Sequence, residues 1–260
     1  MAERRIVFLM YHELELAGRA LCQSEPGYAR YILPGPAFRR QMEWIKQSGL
    51  RGVSVSEALT YPAQASVCIT FDDGCETDLI AAAPVLQEFG HSATFFVTAG
   101  FLNHPGYMSS TQLRELGAQG FEIGCHSMTH AYLSDIGESE LKSEIVDAKD
   151  RIEQIVGHEI HHFSCPGGRY NARALDVARR AGFKTVANSE FYANTPATNP
   201  YKLGRVAMLR DVPIEAFGAL CHGDGLWKKR LSHRTRRSAQ WLLGNRRYDR
   251  LRAALLGEPR

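Results

Sequence analysis

The most regular feature of the chain is a series of short apolar runs that alternate with amphipathic segments. Residues 5–11 are apolar at nearly every position, which is typical of a strand buried on both faces. Runs of similar length recur six times further along the chain. In chain order, the predicted strands are residues 5–11, 67–71, 93–97, 121–125, 161–165, 184–187 and 205–209.

Between these runs, apolar residues recur at the three- and four-residue spacing of amphipathic helices. Phe38, Met42 and Ile45 form one such stripe, and Gly49 ends that helix. Because strands alternate with helices and no internal repeat is found, the pattern predicts an α/β fold with a mainly parallel sheet. The predicted helices lie around residues 38–49, 79–86, 111–118, 141–155, 172–181 and 214–219.

Length and composition fit one α/β domain with additions. The chain has 260 residues, of which 44% are hydrophobic and 23% are charged, and this excludes disordered, collagenous and membrane-embedded classes. The apolar run near the start is shorter than a signal-peptide core, so we expect a cytoplasmic protein. The six cysteines form no Cys-x-x-Cys pair, which predicts free thiols in that compartment.

Acidic and histidine side chains follow two of the predicted strands. Asp72 and Asp73 come directly after the strand at 67–71, and His126 and His130 come after the strand at 121–125. Asp-Asp-Gly alone is also a common turn, and His-x-x-x-His alone is also a common surface pair. The carboxyl ends of parallel strands meet at one edge of a sheet, however, so the two motifs are expected to lie together. Two histidines and one carboxylate supply three ligands to a divalent ion and leave a position open for water, while the second carboxylate acts as a general base.

These residues resemble the motifs of a known family. Residues 70–74 (Thr-Phe-Asp-Asp-Gly) and 126–130 (His-Ser-Met-Thr-His) resemble the two leading motifs of the polysaccharide deacetylases, the NodB-homology enzymes of carbohydrate esterase family four. Residues 163–168 (Phe-Ser-Cys-Pro-Gly-Gly) resemble the third motif, and residues 93–97 resemble the strand between. The resemblance covers residues 5–218.

The resemblance implies a fold, a reaction and a set of residue roles. The fold is a distorted (β/α)7 barrel, and the reaction is hydrolysis of an N-acetyl group from an amino sugar of a polysaccharide, an oligosaccharide or a lipid-linked glycan. Asp73, His126 and His130 match the metal ligands, with Zn²⁺ the expected ion, and Asp72 matches the general base. The backbone N–H of Gly167 matches the donor that stabilises the oxyanion.

Two departures from the family pattern concern the third motif. The arginine that opens this motif in many members is Ser164 here, so another residue must hold Asp72. Arg169 is a candidate for this role and for substrate binding, and a solvated loop arginine is the alternative reading. The aromatic residue of the motif is absent, which leaves an open acetyl pocket or one completed by Tyr170.

The family's general acid comes from a Leu-x-His motif, whose one literal match here is residues 220–222. Because this match follows a predicted helix, we interpret His222 as a helix-end residue. His12 directly follows the first predicted strand and is therefore a candidate proton donor or substrate-binding residue, with a packed histidine beside the site as the alternative. Four cysteines in or near the motifs are interpreted as small buried side chains: Cys68, Cys75, Cys125 and Cys165.

Charge is distributed unevenly along the chain. Residues 226–260 hold 11 Lys or Arg and two acidic residues, a net charge of +9, whereas residues 1–225 hold 20 basic and 26 acidic groups, a net charge of −6. Residues 1–225 are predicted to form the catalytic domain, with 1–65 as an N-terminal strand-helix segment integrated with it. Residues 226–260 are predicted to form a basic amphipathic helical tail that either binds an anionic membrane or packs on the barrel.

Three other functions remain alternatives at the level of sequence. The basic tail is compatible with nucleic acid, but no recognition motif supports this and the negative main body repels a polyanion, so no nucleic-acid partner is expected. A hydrolase of another small amide, such as a formamide or a cyclic ureide, fits the same motifs. A glycan-binding barrel without turnover is the third alternative.

Overall fold

The computed structural model of the protein describes residues 4–23 and 26–227. Within this part of the chain, no helix is long and apolar enough to cross a membrane. Nearly all of the predicted tail at 226–260 lies outside the described residues, so its helix and its membrane contact stay predictions. All six cysteines are described, and all are free thiols, as predicted.

Eight parallel strands form the main sheet, and two short strands pair separately. The seven strands predicted from the apolar runs are all present, most of them shorter by one or two residues at an end. The strands are β1 Val7–Tyr11, β2 Leu14–Glu15, β3 Leu33–Pro34, β4 Arg51–Val53, β5 Ser66–Asp73, β6 Thr94–Val97, β7 Glu122–Cys125, β8 His162–Ser164, β9 Thr185–Ala187 and β10 Val206–Ala207.

Helices connect successive strands of the sheet, as the amphipathic stripes predicted. Side-chain caps fix several of their starts, for example at Ser54 and Ser109, where a capping box forms. Single π-helical turns at Asp78–Ala82 and Ser143–Asp147 precede two of the helices. The α-helices are α1 Pro26–Ala29, α2 Gly35–Gln47, α3 Val55–Leu59, α4 Ala83–Phe89, α5 Ser110–Ala118, α6 Glu138–Lys142, α7 Ala148–Val156, α8 Ala172–Arg180 and α9 Ile214–Cys221.

The sheet curls until its two ends approach each other. Its strand order is β10-β1-β5-β6-β7-β8-β9, with β4 paired to the first part of β5. Val206 pairs with Leu9 of β1, and Leu203, just before β10, forms a parallel bridge with Ala187 of β9. Seven strands therefore surround the barrel, which confirms the predicted (β/α)7 architecture.

Successive side chains of the strands point to opposite faces of the sheet and form two separate clusters of buried residues. Phe71 stacks on Tyr11 and Phe95 at ring-centroid distances of 5.2 and 4.9 Å, in the core shared with the helices. Phe8 and Phe96 belong to a second buried cluster. Because strand side chains alternate between faces, residues packed on both sides hold the carboxyl ends of β5 and β7 in place.

A buried polar cluster joins β7 and β8 at their amino-terminal part. His162 Nε2 lies 3.3 Å from Glu122 Oε1, and Thr94 and Ser56 also donate hydrogen bonds to this carboxylate. Burial disfavours the ionised carboxylate, but the hydrogen bonds and the charge of His162 outweigh burial and lower the pKa of Glu122 to about 2.

This lowered pKa predicts a contribution to stability that depends on pH. Since the unfolded pKa of a glutamate is about 4.3, the contribution is complete above that pH and is lost as the pH falls toward 2; it amounts to about 2–3 kcal/mol. Glu122→Gln removes the titrating group. We expect its unfolding free energy, from urea titrations between pH 5 and pH 3, to fall less steeply than that of the wild type. The exposed Glu159→Gln serves as control, and equal slopes for all three proteins would contradict the assignment.

Candidate active site

Two adjacent carboxylates stand at the carboxyl end of β5. Asp72 and Asp73 are both buried. Adjacent residues of a regular strand point to opposite faces, but Asp73 has φ 82°, in the left-handed region that aspartate adopts more readily than most residues. With this turn, Asp72 Oδ2 lies 3.7 Å and Asp73 Oδ1 3.5 Å from the same atom, His126 Nε2.

The two histidines of the second motif come from the loop after β7, where Ser127 and His130 also have positive φ values of 69° and 64°. His126 Nδ1 lies 2.9 Å from the carbonyl oxygen of Ser164. A carbonyl only accepts, so this bond places the proton on Nδ1 and leaves the Nε2 lone pair facing the carboxylates. His130 Nε2 lies 3.5 Å from Asp73 Oδ1 on the other side.

Asp73, His126 and His130 fit a divalent metal ion. Their ligand atoms all lie within 4.8 Å of one another, and Asp73 Oδ1 is buried without a hydrogen-bond partner. Burial is the largest influence on His126 and lowers its pKa to about 4, so its imidazole is neutral near pH 7. A neutral imidazole and an unpartnered carboxylate oxygen are the forms in which these side chains bind Zn²⁺.

Glu144, which the sequence reasoning missed, holds the histidine loop. Its carboxylate accepts hydrogen bonds from the backbone N–H groups of Met128 and Thr129, at 3.0 and 2.9 Å, and from the Thr129 hydroxyl at 2.5 Å. Glu144 lies in the π-helical turn between α6 and α7. Three donors on one carboxylate fix the backbone between the two histidines.

Arg205 holds Asp72, and Arg169 does not take that role as we had suggested. The Arg205 guanidinium is fully buried and donates to both carboxylate oxygens of Asp72, each at 2.7 Å. It also donates to the Ser164 hydroxyl at 2.7 Å. Burial alone would raise the pKa of Asp72, but the charges of Arg205 and His126 and the hydrogen bonds from Arg205 lower it far below its usual range. Asp72 is therefore ionised.

His12, just after β1, is partly buried beside these groups. Its ring lies 5.2 Å from the ring of Tyr31 and 6.3 Å from that of Tyr28, and its Nδ1 has no hydrogen-bond partner. The Tyr28 hydroxyl lies 3.3 Å from Asp73 Oδ2. Burial lowers the pKa of His12, against the opposing charges of Asp73 and Asp72. The structure thus brings His12 to the same edge as the carboxylates.

A comparison with protein families matches the segment that carries most of these residues. The family model for polysaccharide deacetylases matches residues 61–186, which include the carboxylate pair, both histidines and the third motif. Over this segment the chain is similar to the polysaccharide deacetylase family. The match ends before residue 205, so the arginine that holds Asp72 lies outside it.

Curated relatives extend the match beyond that segment. The chain is 28% identical over 221 residues to the Bacillus subtilis protein YxkH, which carries a polysaccharide deacetylase name, and covers 75% of it. It is 33% identical over 121 residues to a peptidoglycan-N-acetylglucosamine deacetylase of Bacillus cereus, of which it spans about half (54%). It is 26% identical over 200 residues to the poly-beta-1,6-N-acetyl-D-glucosamine N-deacetylase of Staphylococcus aureus, with 70% of this chain and 69% of that protein covered.

Solved structures of other deacetylases share the fold of this protein. The deacetylase PplD of Streptococcus pyogenes, solved with acetate, superimposes with a TM-score of 0.75 at 23% identity, covering 85% of this chain and 99% of the other. IcaB from Ammonifex degensii superimposes with a TM-score of 0.70 at 23% identity, covering 84% of this chain and 96% of the other. At this identity the likeness concerns the fold.

The third motif has an aromatic neighbour that differs from Tyr170, the residue offered by the sequence as one of two alternatives. Gly167 is exposed and has φ 59°, and a Cβ built on it would lie 2.9 Å from the Tyr132 ring. The Arg169 guanidinium lies 4.0 Å from the centroid of that ring. Tyr132, and not Tyr170, therefore lies against the glycine, since Tyr170 packs on the hydrophobic core.

The late Leu-x-His match lies away from the candidate active site. His222 is the C-cap residue of α9, and its ring lies 5.9 Å from that of Trp44. This agrees with its interpretation as a helix-end residue.

Proposed function

We propose that the protein is a metal-dependent hydrolase that removes N-acetyl groups from the amino sugars of a glycan. The observation that carries the proposal is the unpartnered Asp73 oxygen between two histidines, next to the ionised Asp72. Zn²⁺ is the proposed ion, because two imidazoles and a carboxylate are typical ligands of catalytic zinc and leave a position open. When bound, the ion supplies Lewis acidity toward the amide carbonyl and toward water.

Each nearby side chain has a role in moving protons or binding substrate. Asp72, held ionised by Arg205, accepts a proton from the attacking water. His12 carries a proton to the amine that leaves. Gly167 has no side chain, so a substrate can approach its backbone N–H, which stabilises the oxyanion. Arg169 and Tyr132, which flank this glycine, contact the sugar.

The substrate class comes from the names of the relatives. By their names, one relative deacetylates the N-acetylglucosamine of peptidoglycan, and another deacetylates a β-1,6-linked polymer of N-acetylglucosamine. We propose an N-acetylated glycan of this class as the substrate. Cytoplasmic location, docking of residues 226–260 on an anionic membrane, and the division at residue 225 stay predictions from the sequence.

Removing one metal ligand tests the metal site and the reaction together. His130 is suitable because its side chain is 35% exposed, so His130→Ala leaves no large cavity. We expect the variant to lose one divalent ion per chain by elemental analysis. Acetate release from N-acetylglucosamine oligomers falls by about a hundredfold or more, since the Lewis acidity of a metal supplies several kcal/mol.

His158→Ala, which removes an exposed histidine, is the matched control and should retain metal and activity. Metal loss in His130→Ala without any acetate release by the wild type would favour another amide substrate or a glycan-binding barrel. An unchanged metal content in His130→Ala would refute the proposed ligand set.

A further inference from the structure

A second group of metal-binding side chains lies beside the active site. The ligand atoms of Glu13, Cys22 and Cys75 are within 4.8 Å of one another. Glu13 and Cys75 are buried and Cys22 is partly buried. The group joins the segment after β1, the segment before α1 and the turn after β5. None of the three side chains belongs to the catalytic ligand set.

The local contacts leave these ligand atoms available. The Glu13 carboxylate accepts the Cys22 backbone N–H, with distances of 2.9 and 3.1 Å to its two oxygens. A carboxylate has about four lone-pair positions, so it still has capacity for a cation. The Cys22 thiol donates to the carbonyl oxygen of Gly106 at 2.9 Å, and Cys75 Sγ lies 3.7 Å from the Tyr28 hydroxyl.

A further observation concerns Asp78, whose backbone N–H donates to the carbonyl oxygen of Cys75. Asp78, in the π-helical turn that precedes α4, is completely buried, and neither of its carboxylate oxygens has a hydrogen-bond partner. A buried carboxylate without donors is costly unless a cation or a proton neutralises it.

We propose that Glu13, Cys22 and Cys75 bind a second divalent ion of the zinc class, with the Asp78 carboxylate as the neighbouring negative charge. Two sulfur ligands favour Zn²⁺ over Mg²⁺ or Ca²⁺, which prefer oxygen. With Zn–S of about 2.3 Å and Zn–O of about 2.0 Å, tetrahedral ligands lie roughly 3.3–3.8 Å apart, so the ligand atoms need to approach one another by at most about 1.5 Å. Binding releases the two thiol protons to solvent, and Cys22 exchanges its bond to Gly106 for the metal.

The second ion has a structural role next to the first. It ties the segments at residues 13 and 22 to the turn after β5. Tyr28 lies between the two sites, since its hydroxyl contacts both Asp73 Oδ2 and Cys75 Sγ. The second ion therefore stabilises the segment that carries Tyr28.

Cobalt substitution separates the two sites by their ligands. Thiolate coordination gives Co²⁺ a charge-transfer band in the near ultraviolet, and the set of Asp73, His126 and His130 contains no sulfur. We expect Co²⁺ titration of the reduced protein to produce this band in the wild type and in His130→Ala. Cys22→Ser and Cys75→Ser lose it. Cys221→Ser, which removes a buried cysteine of α9 and is the matched control, keeps it.

Two results would overturn the second site: no thiolate band in wild-type protein at two equivalents of Co²⁺, or a band that survives when both Cys22 and Cys75 are serine. Circular dichroism checks the fold of each variant. A measurement on wild type alone adds a test that needs no variant, because bound Zn²⁺ should slow the reaction of Cys22 with a thiol reagent. An unchanged rate with saturating Zn²⁺ would also contradict the site. Neither readout depends on deacetylase activity.

Discussion

Asp72→Asn is expected to lower the kcat of acetate release by about a hundredfold to ten-thousandfold, the range that a general base contributes. The amide has nearly the same shape as the carboxylate but does not accept a proton from water. Because Asp73 and both histidines stay in place, the divalent ion at the catalytic site should be retained. Steady-state kinetics check the fall in kcat, and elemental analysis of the same sample checks that the ion is retained.

The control for this variant is Asp176→Asn. Asp176 lies on the surface in α8, where its side chain is 50% exposed and pairs with Arg180, so kcat should not change. Full activity in Asp72→Asn would exclude Asp72 as the base. Loss of metal together with activity would instead identify Asp72 as a ligand.

Arg205→Ala is expected to reduce the unfolding free energy by about 3–5 kcal/mol, because it leaves the buried Asp72 carboxylate without its cation. The loss should be visible as a lower midpoint in urea unfolding. Without the guanidinium, burial raises the pKa of Asp72. A larger fraction of the base is then protonated at a given pH, so the acidic limb of the kcat/KM profile moves to higher pH.

Two further variants separate the charge of Arg205 from its geometry. Arg205→Lys keeps the positive charge but loses the paired hydrogen bonds, so stability and activity should lie between wild type and Arg205→Ala. The double variant Asp72→Asn with Arg205→Met should regain stability relative to Arg205→Ala without regaining activity. Equal stability of Arg205→Ala and wild type would show that the pair contributes nothing to folding.

Much of the fold follows from local pattern. Buried parallel strands are apolar on both faces, so the runs at 5–11 and 67–71 predicted β1 and β5 directly. The strand β4, three residues long, and the pairing of β2 with β3 were not predicted. Strands this short carry too few residues for a periodicity, and their pairing depends on contacts with segments distant in the chain.

The sequence predicted the site residues that lie at strand ends. It missed the residues that hold the site from distant parts of the chain. Asp72 and Asp73 are the last residues of β5, and His126 and His130 follow β7, so the strand-end rule was sufficient. Arg205 precedes β10 and reaches Asp72 through a long side chain, 133 residues apart in sequence.

The need of Asp72 for a positively charged partner could have indicated Arg205. A buried carboxylate whose usual arginine is replaced by Ser164 needs a cation from some other strand, and Arg205 stands at the start of the last predicted one. Glu144 gave no signal, because it lies within an amphipathic helical stripe and resembles a solvent-exposed glutamate.

The position of Arg205 makes the order of chain synthesis relevant to activity. Residues 70–168 contain these three motifs, so the proposed metal ligands and the proposed general base leave the ribosome well before residue 205 does. Only when the segment from Leu203 to Ala207 inserts between β9 and β1 does Asp72 gain its counterion. Closure of the barrel is thus also the maturation step of the active site, and a nascent chain that already carries these three motifs is still an incomplete enzyme.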